Sequence, residues 1–176
     1  METKITILGK FFETPEKSYG IRELSRILKI NHTTIRQYLS KLVKVGLLSI
    51  DKSYFYPAYK LVASRESLNL KLYYNLEKLR KSGLIDFLEK EFDFPVIILF
   101  GSYAKARDNE TSDIDLCVIS NIEKKINPER YKLSLNREVS IHHFTKKGFE
   151  SLKNKNRELF NNICNGIVIS GQLEAI

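Results

Sequence analysis

The chain has 176 residues, 43% of them apolar, enough for one large or two small hydrophobic cores. It has no run of about 18 apolar residues for a membrane span and no signal-peptide apolar region, so a cytoplasmic protein without a membrane partner is expected. The net charge of +8 is uneven: residues 1–65 hold 12 Lys and Arg against 5 Asp and Glu, which points that third toward nucleic acid.

In chain order, Ile5, Leu8, Phe11 and Phe12 recur at helical spacing and Thr14-Pro15 ends that helix. Ile21, Leu24, Ile27 and Leu28 form a second stripe. After the turn Lys29-Ile30-Asn31, with Asn31 suited to cap, Ile35, Leu39 and Leu42 form a third, stopped by Gly46. Leu47 to Ile50, a turn at Asp51-Lys52-Ser53, and Tyr54-Phe55-Tyr56 then read as a β-hairpin. With Glu23-Leu24-Ser25-Arg26-Ile27-Leu28 and Val45-Gly46-Leu47-Leu48, residues 1–65 resemble the winged helix-turn-helix domains of archaeal and bacterial regulators. That resemblance implies double-stranded DNA as a partner. His32, Thr33, Thr34, Arg36 and Gln37 lie at the end of the third helix that enters the major groove in such proteins, where Arg and Gln can read base edges. Lys41, Lys44 and the wing residue Lys52 suit phosphate. The competing reading is a winged helix used for dimerisation or protein contact.

Residues 66–94 read as a helical linker. Leu68, Leu72, Leu76 and Leu79, with Tyr73 alongside, form a stripe that serves as core, as a seam between domains, or as a homodimer interface. Gly83 breaks it, Leu84 to Phe92 forms a shorter helix, and Pro95 precedes the next strand.

Residues 95–176 carry the chemistry. Val96 to Phe100 is short enough for a buried strand, and Gly101-Ser102 then begins a turn that can open a helix and offer backbone N–H groups to phosphate. Ser112 to Ile119 reads as a second strand, on which Asp113 and Asp115 share one face with Cα atoms about 6.5 Å apart. Two carboxylates beside such a turn can hold Mg²⁺ against a nucleoside triphosphate. Gly-Ser, ten residues, then Asp-x-Asp resembles the DNA polymerase β-like nucleotidyltransferase superfamily. The resemblance implies that Gly101, Ser102 and Lys105 bind NTP, ATP being the expected one, and that Asp113 and Asp115 hold Mg²⁺ or Mn²⁺. Phe160 to Gly171 resembles the closing segment of small archaeal members. The expected architecture is α+β: an N-terminal winged helix-turn-helix, a helical linker, and a transferase fold with a mixed sheet flanked by helices. Cys117 and Cys164 read as reduced core thiols outside any metal or redox motif.

Two positions depart from that family's pattern. Its third carboxylate falls on Ser140, in Arg137-Glu138-Val139-Ser140-Ile141-His142-His143-Phe144. Glu138 and His142 share that face by alternation, either as substitutes or as lining of a wet cleft, whereas His143 falls on the opposite, structural face. Ala106 stands where such proteins often have Gly. Two functions stay open: transfer of an NMP to an acceptor, including a protein such as a HEPN-domain partner, or a transcriptional regulator whose inactive transferase fold senses nucleotide.

Overall fold

Helices whose apolar residues recur every three or four positions open the chain, as the sequence pattern requires. The computed structural model describes residues 2–53 and 55–173. The chain divides into two units, Met1–Tyr74 and Asn75–Ile176.

In the first unit, α1 (Glu2–Glu13) buries Ile7, Leu8, Phe11 and Phe12. It ends where the Thr14 hydroxyl donates back to the Lys10 carbonyl at 3.0 Å, ahead of Pro15. A two-residue strand β1 (Tyr19–Gly20) leads into α2 (Ile21–Leu28), which closes on left-handed Lys29. The Asn31 side chain accepts from the Thr33 N–H at 2.8 Å and starts α3 (His32–Lys44), with Ile35, Leu39 and Leu42 buried. Gly46, at φ +75°, takes the left-handed position of a Schellman stop, with Gly46 N–H on the Val43 carbonyl and Leu47 N–H on that of Leu42. Ile27 departs from its expected stripe and is exposed, because Leu24 alone of α2 reaches full burial.

The hairpin also differs from the expected one. Strand β2 (Leu48–Asp51) pairs antiparallel with β3 (Ala58–Leu61), and β1 pairs on the far edge of β3. Phe55 and Tyr56 therefore belong to the loop, while Tyr54 lies outside the described residues. Aromatic residues favour strands, but local chemistry wins here. The Asp51 carboxylate accepts from Ser53 N–H at 3.0 Å and Ser53 Oγ at 2.5 Å, which turns the chain out of the ladder. Pro57 has no N–H to rejoin it before Ala58. The Ser53 and Ser18 hydroxyls hold the Asp51 carboxyl down at about 2.

The boundary between units falls inside α4 (Arg65–Lys81). Gly83, at φ +75°, precedes α5 (Leu84–Glu91). The second unit then runs β4 (Val96–Phe100), α6 (Gly101–Ala104), β5 (Ile114–Ile119), α7 (Glu129–Leu135), β6 (Val139–Phe144), α8 (Lys146–Lys155), α9 (Arg157–Cys164) and β7 (Ile167–Ser170). The sheet order is β6-β5-β4-β7; β5 and β6 are parallel and the other pairs antiparallel. This is the expected α+β architecture with a mixed sheet flanked by helices. Strand alternation divides the core. Ile97, Leu99, Ile114, Leu116 and Val118 pack with Leu79, Leu84 and Leu88, whereas Ile98, Phe100, Cys117 and Ile119 pack with Phe149, Leu152 and Ile163. Cys117 is buried, and burial pushes its thiol up to about 12. Cys164 corrects the expectation of two core thiols: α9 turns Ile163 inward, and the next residue, about 100° further round, is exposed. Among the described residues, no helix is long and apolar enough to cross a membrane.

Candidate active site and nucleic-acid surface

Strand β4 ends at Phe100, whose ladder partner on β5 is Asp115. The chain then turns through Gly101 at φ +74°, where a Cβ would run into the Asp115 carboxylate. Only glycine allows both this turn and this approach. Ser102 follows in α6, and its carbonyl accepts from the N–H groups of Lys105 and Arg107, folding the turn back on itself. Lys105 is exposed. Ala106 is buried at φ +52°, a left-handed position where a glycine would be unstrained.

Asp115 is half-buried on the sheet face shared with Phe100 and Cys117. Asp113 sits one residue before β5 begins, exposed. Burial raises the Asp115 carboxyl above the ordinary aspartate value; the His142 charge opposes this and the Asp113 charge adds to it. In the parallel ladder Ser140 is the partner of Asp115, and His142 that of Cys117. The His142 ring stands edge-on to Phe100, with centroids 5.3 Å apart. The site therefore gathers Gly101, Ser102, Asp113, Asp115, Ser140 and His142 at one sheet end. Glu138 is engaged elsewhere: its carbonyl accepts from Ile114 N–H at 2.9 Å, and its half-exposed carboxylate pairs with Lys132 on α7. His143, on the other face, bonds the Ser120 carbonyl at 3.1 Å and packs against Phe92.

Sequence reasoning missed the hub that holds the loop between Gly-Ser and the Asp pair. Asp108 is buried; Asn75 Nδ2 donates to it at 2.9 Å and to the Tyr103 carbonyl at 3.1 Å. Arg137 approaches Asp108 at 3.8 Å and donates from Nη1 to the Glu110 carbonyl at 2.6 Å. Downstream, Asn109 Oδ1 accepts from Thr111 N–H and from the Thr111 and Ser112 hydroxyls, a turn that delivers the chain to Asp113. No local sequence signal links the hub's three members, which lie far apart along the chain.

In the first unit, His32, Thr33, Arg36, Gln37, Lys41 and Lys44 are exposed on α3, Thr34 is half-buried, and Lys52 is exposed in the wing loop. The Lys41 ammonium lies 5.8 Å from the Tyr38 ring centre. A groove of about 970 Å³ runs between helices and wing, lined by His32 and Arg36, by Arg22 and Arg26 of α2, and by Tyr56 and Pro57. Arg22 and Arg26 were not among the expected residues, although their i, i+4 spacing off the apolar stripe could have found them.

Residues 82–174 match the family of polymerase beta nucleotidyltransferases, and residues 2–49 match the arsR family of bacterial regulatory proteins. The chain belongs to the polymerase beta nucleotidyltransferase family. It joins that fold to an N-terminal helix-turn-helix of the DNA-binding type, as the sequence resemblance implied. No curated protein matches the chain.

Polymerase β-like nucleotidyltransferases generally use divalent metal, and the residues of this nucleotidyltransferase fit an ion shared with substrate rather than one caged by protein. Among the described residues, no three His, Cys, Asp or Glu side chains are grouped to hold a metal by themselves. Asp113 and Asp115 offer hard oxygen donors, and Ser140 adds a hydroxyl on the neighbouring strand. Mg²⁺ commonly takes one or two carboxylates and completes its octahedron with phosphate oxygens and water. The Asp115 carboxyl is raised first by burial and then by the Asp113 charge beside it, and a cation would offset both.

Proposed function

We propose that residues 95–176 bind an NTP, ATP in the first instance, together with Mg²⁺ or Mn²⁺, and transfer its nucleoside monophosphate to an acceptor. The observation that carries this reading is the Asp115 carboxylate lying over Gly101 beside Ser102. The turn at Gly101 and Ser102, with Lys105 next to it, is suited to phosphate, because the first N–H groups of a helical turn have no intrahelical acceptors. Asp113 and Asp115 would hold the metal, which when bound supplies charge neutralisation and alignment of the triphosphate. In the transfer, an acceptor oxygen bonds to the α-phosphorus, the α–β bridging bond breaks, and pyrophosphate leaves. A protein acceptor, such as a HEPN-domain partner, is compatible with the exposed end of the sheet. The chain itself acts in this reading as a monomer or a homodimer.

Residues 1–65 are assigned to double-stranded DNA, with residues 66–94 as the helical connection. His32, Thr33, Thr34, Arg36 and Gln37 face base edges, and Lys41, Lys44 and Lys52 face phosphate. Ser140 favours a second reading, a transcriptional regulator that senses nucleotide without transfer. A hydroxyl cannot take up a proton as a third carboxylate would, and Glu138 is turned to Lys132.

Incubation with each labelled NTP, Mg²⁺ or Mn²⁺, and candidate acceptors, including neighbouring gene products, separates the two. Covalent label lost in Asp113→Ala supports transfer; a Ser140→Asp variant should increase it, and Glu138→Gln should leave that variant unaffected. Metal-dependent nucleotide binding with no label in the parent or in Ser140→Asp supports the sensor.

A further inference from the structure

The tip of the wing holds Phe55, 94% exposed, and Tyr56, 74% exposed, their rings in edge contact at 5.0 Å. Neither ring serves a core, and keeping both in water forgoes the gain of burying them. Tyr56 also lines the groove that Arg22, Arg26, His32 and Arg36 enter from the helices. Glu23 shares that groove, and Lys17 neutralises it at 3.0 Å. Two aromatic faces beside three guanidinium groups fit a polyanion that carries flat apolar surfaces, which is nucleic acid. An acidic protein surface would match the charge and leave the rings without stacking partners.

We infer that Phe55, backed by Tyr56, inserts between base pairs from the minor groove of duplex DNA and kinks it. This rests on the assignment of the first unit to DNA. The groove is lined both by His32 and Arg36 from the N-terminal part of α3 and by Tyr56 and Pro57 from the wing. A phosphate strand lying along it would have its major-groove side toward α3 and its minor-groove side toward the wing, and Arg22 and Arg26 would neutralise it. An aromatic tip reads deformability rather than base edges. Pyrimidine–purine steps such as TA unstack most easily and are the expected point of entry.

The test uses the full chain and a duplex that it selects from a random pool, labelled at both ends for energy transfer. The parent should bend the duplex by about 20–90°, with a TA or CA step at the bend. Phe55→Ala, at so exposed a position, leaves the fold intact. It should weaken binding about tenfold, keep the salt dependence, and leave the saturated duplex straight, whereas Phe55→Trp should restore the bend. A bound but straight duplex with the parent, or a Phe55→Ala complex bent like the parent, overturns the wedge alone. Tighter binding to single-stranded DNA or RNA of the same sequence overturns it in favour of stacking on unpaired bases. Failure to bind any duplex removes the underlying DNA assignment as well.

Discussion

A methyl group added at Gly101 collides with the Asp115 carboxylate, and the same residue holds φ +74°, so backbone and side chain exclude substitution independently. Gly101→Ala should cost about 1–2 kcal/mol of stability from the left-handed backbone and lower affinity for Mg²⁺–NTP at least tenfold by displacing Asp115. Calorimetry beside urea unfolding separates the two effects; an affinity loss no larger than the stability loss explains would remove the geometric role of this glycine. Asp115 makes a second prediction through its proton. Its carboxyl is raised in the fold, so the folded chain binds the proton more tightly than the unfolded chain. That contribution to stability is fully present below the ordinary aspartate value of 3.8 and is lost as pH rises through the raised value. Without metal, Asp115→Asn should therefore melt above the parent at pH 7, and the advantage should vanish in acid. A variant less stable than the parent at pH 7 would show that the ionised carboxylate is stabilised by its surroundings.

At the scale of elements, the loop between α6 and β5 is positioned by residues far apart in sequence. Asn75 comes from α4 and Arg137 from the turn between α7 and β6. Removing one member of a buried ion pair leaves the other without its counter-charge and costs about 3–5 kcal/mol. Arg137→Met should destabilise the second unit by about that amount, and Asp108→Leu added to it should recover part of the loss. The measurement is the urea midpoint of each variant, and an additive double mutant would deny the coupling. This hub was illegible in the sequence because nothing local links positions 75, 108 and 137. The α3 stripe, its Asn31 cap and its Gly46 stop were legible because helix signals act within a few residues. The strand through Asp115 was legible because alternation of a polar residue and buried aliphatics is local too, but Asp113, expected on that strand, lies one residue before it. Three other features escaped for physical reasons. The return strand of the wing was displaced by an Asp51 turn and Pro57, and the two-residue β1 is too short to carry a period. The α7 segment, exposed along much of its length, showed no stripe to read.

On the scale of the whole chain, the charge lies where the helix-turn-helix lies, since residues 1–65 hold nearly all of the +8. Binding of duplex DNA should therefore weaken steeply between 50 and 200 mM salt through counterion release, and Lys44→Ala should shift the log–log slope by about 1. Arg36→Ala or Gln37→Ala should flatten sequence preference more than it changes that slope. Anisotropy titrations on specific and random duplexes measure both, and an unchanged slope in Lys44→Ala would remove its phosphate contact.

Tyr74 and Asn75 are neighbours with different allegiances. The Tyr74 ring packs on Phe12, 5.7 Å between centroids, and its hydroxyl donates to Glu13, whereas Asn75 holds Asp108. The modular joint of this protein is thus a peptide bond inside a helix and not a loop. A recombination event that brought a new N-terminal module to the start of α4 would strand Leu70 and Tyr74 without the surface they cover. Exchange of modules succeeds only if the crossover falls within α4 itself, so that each half of the helix travels with the core it seals.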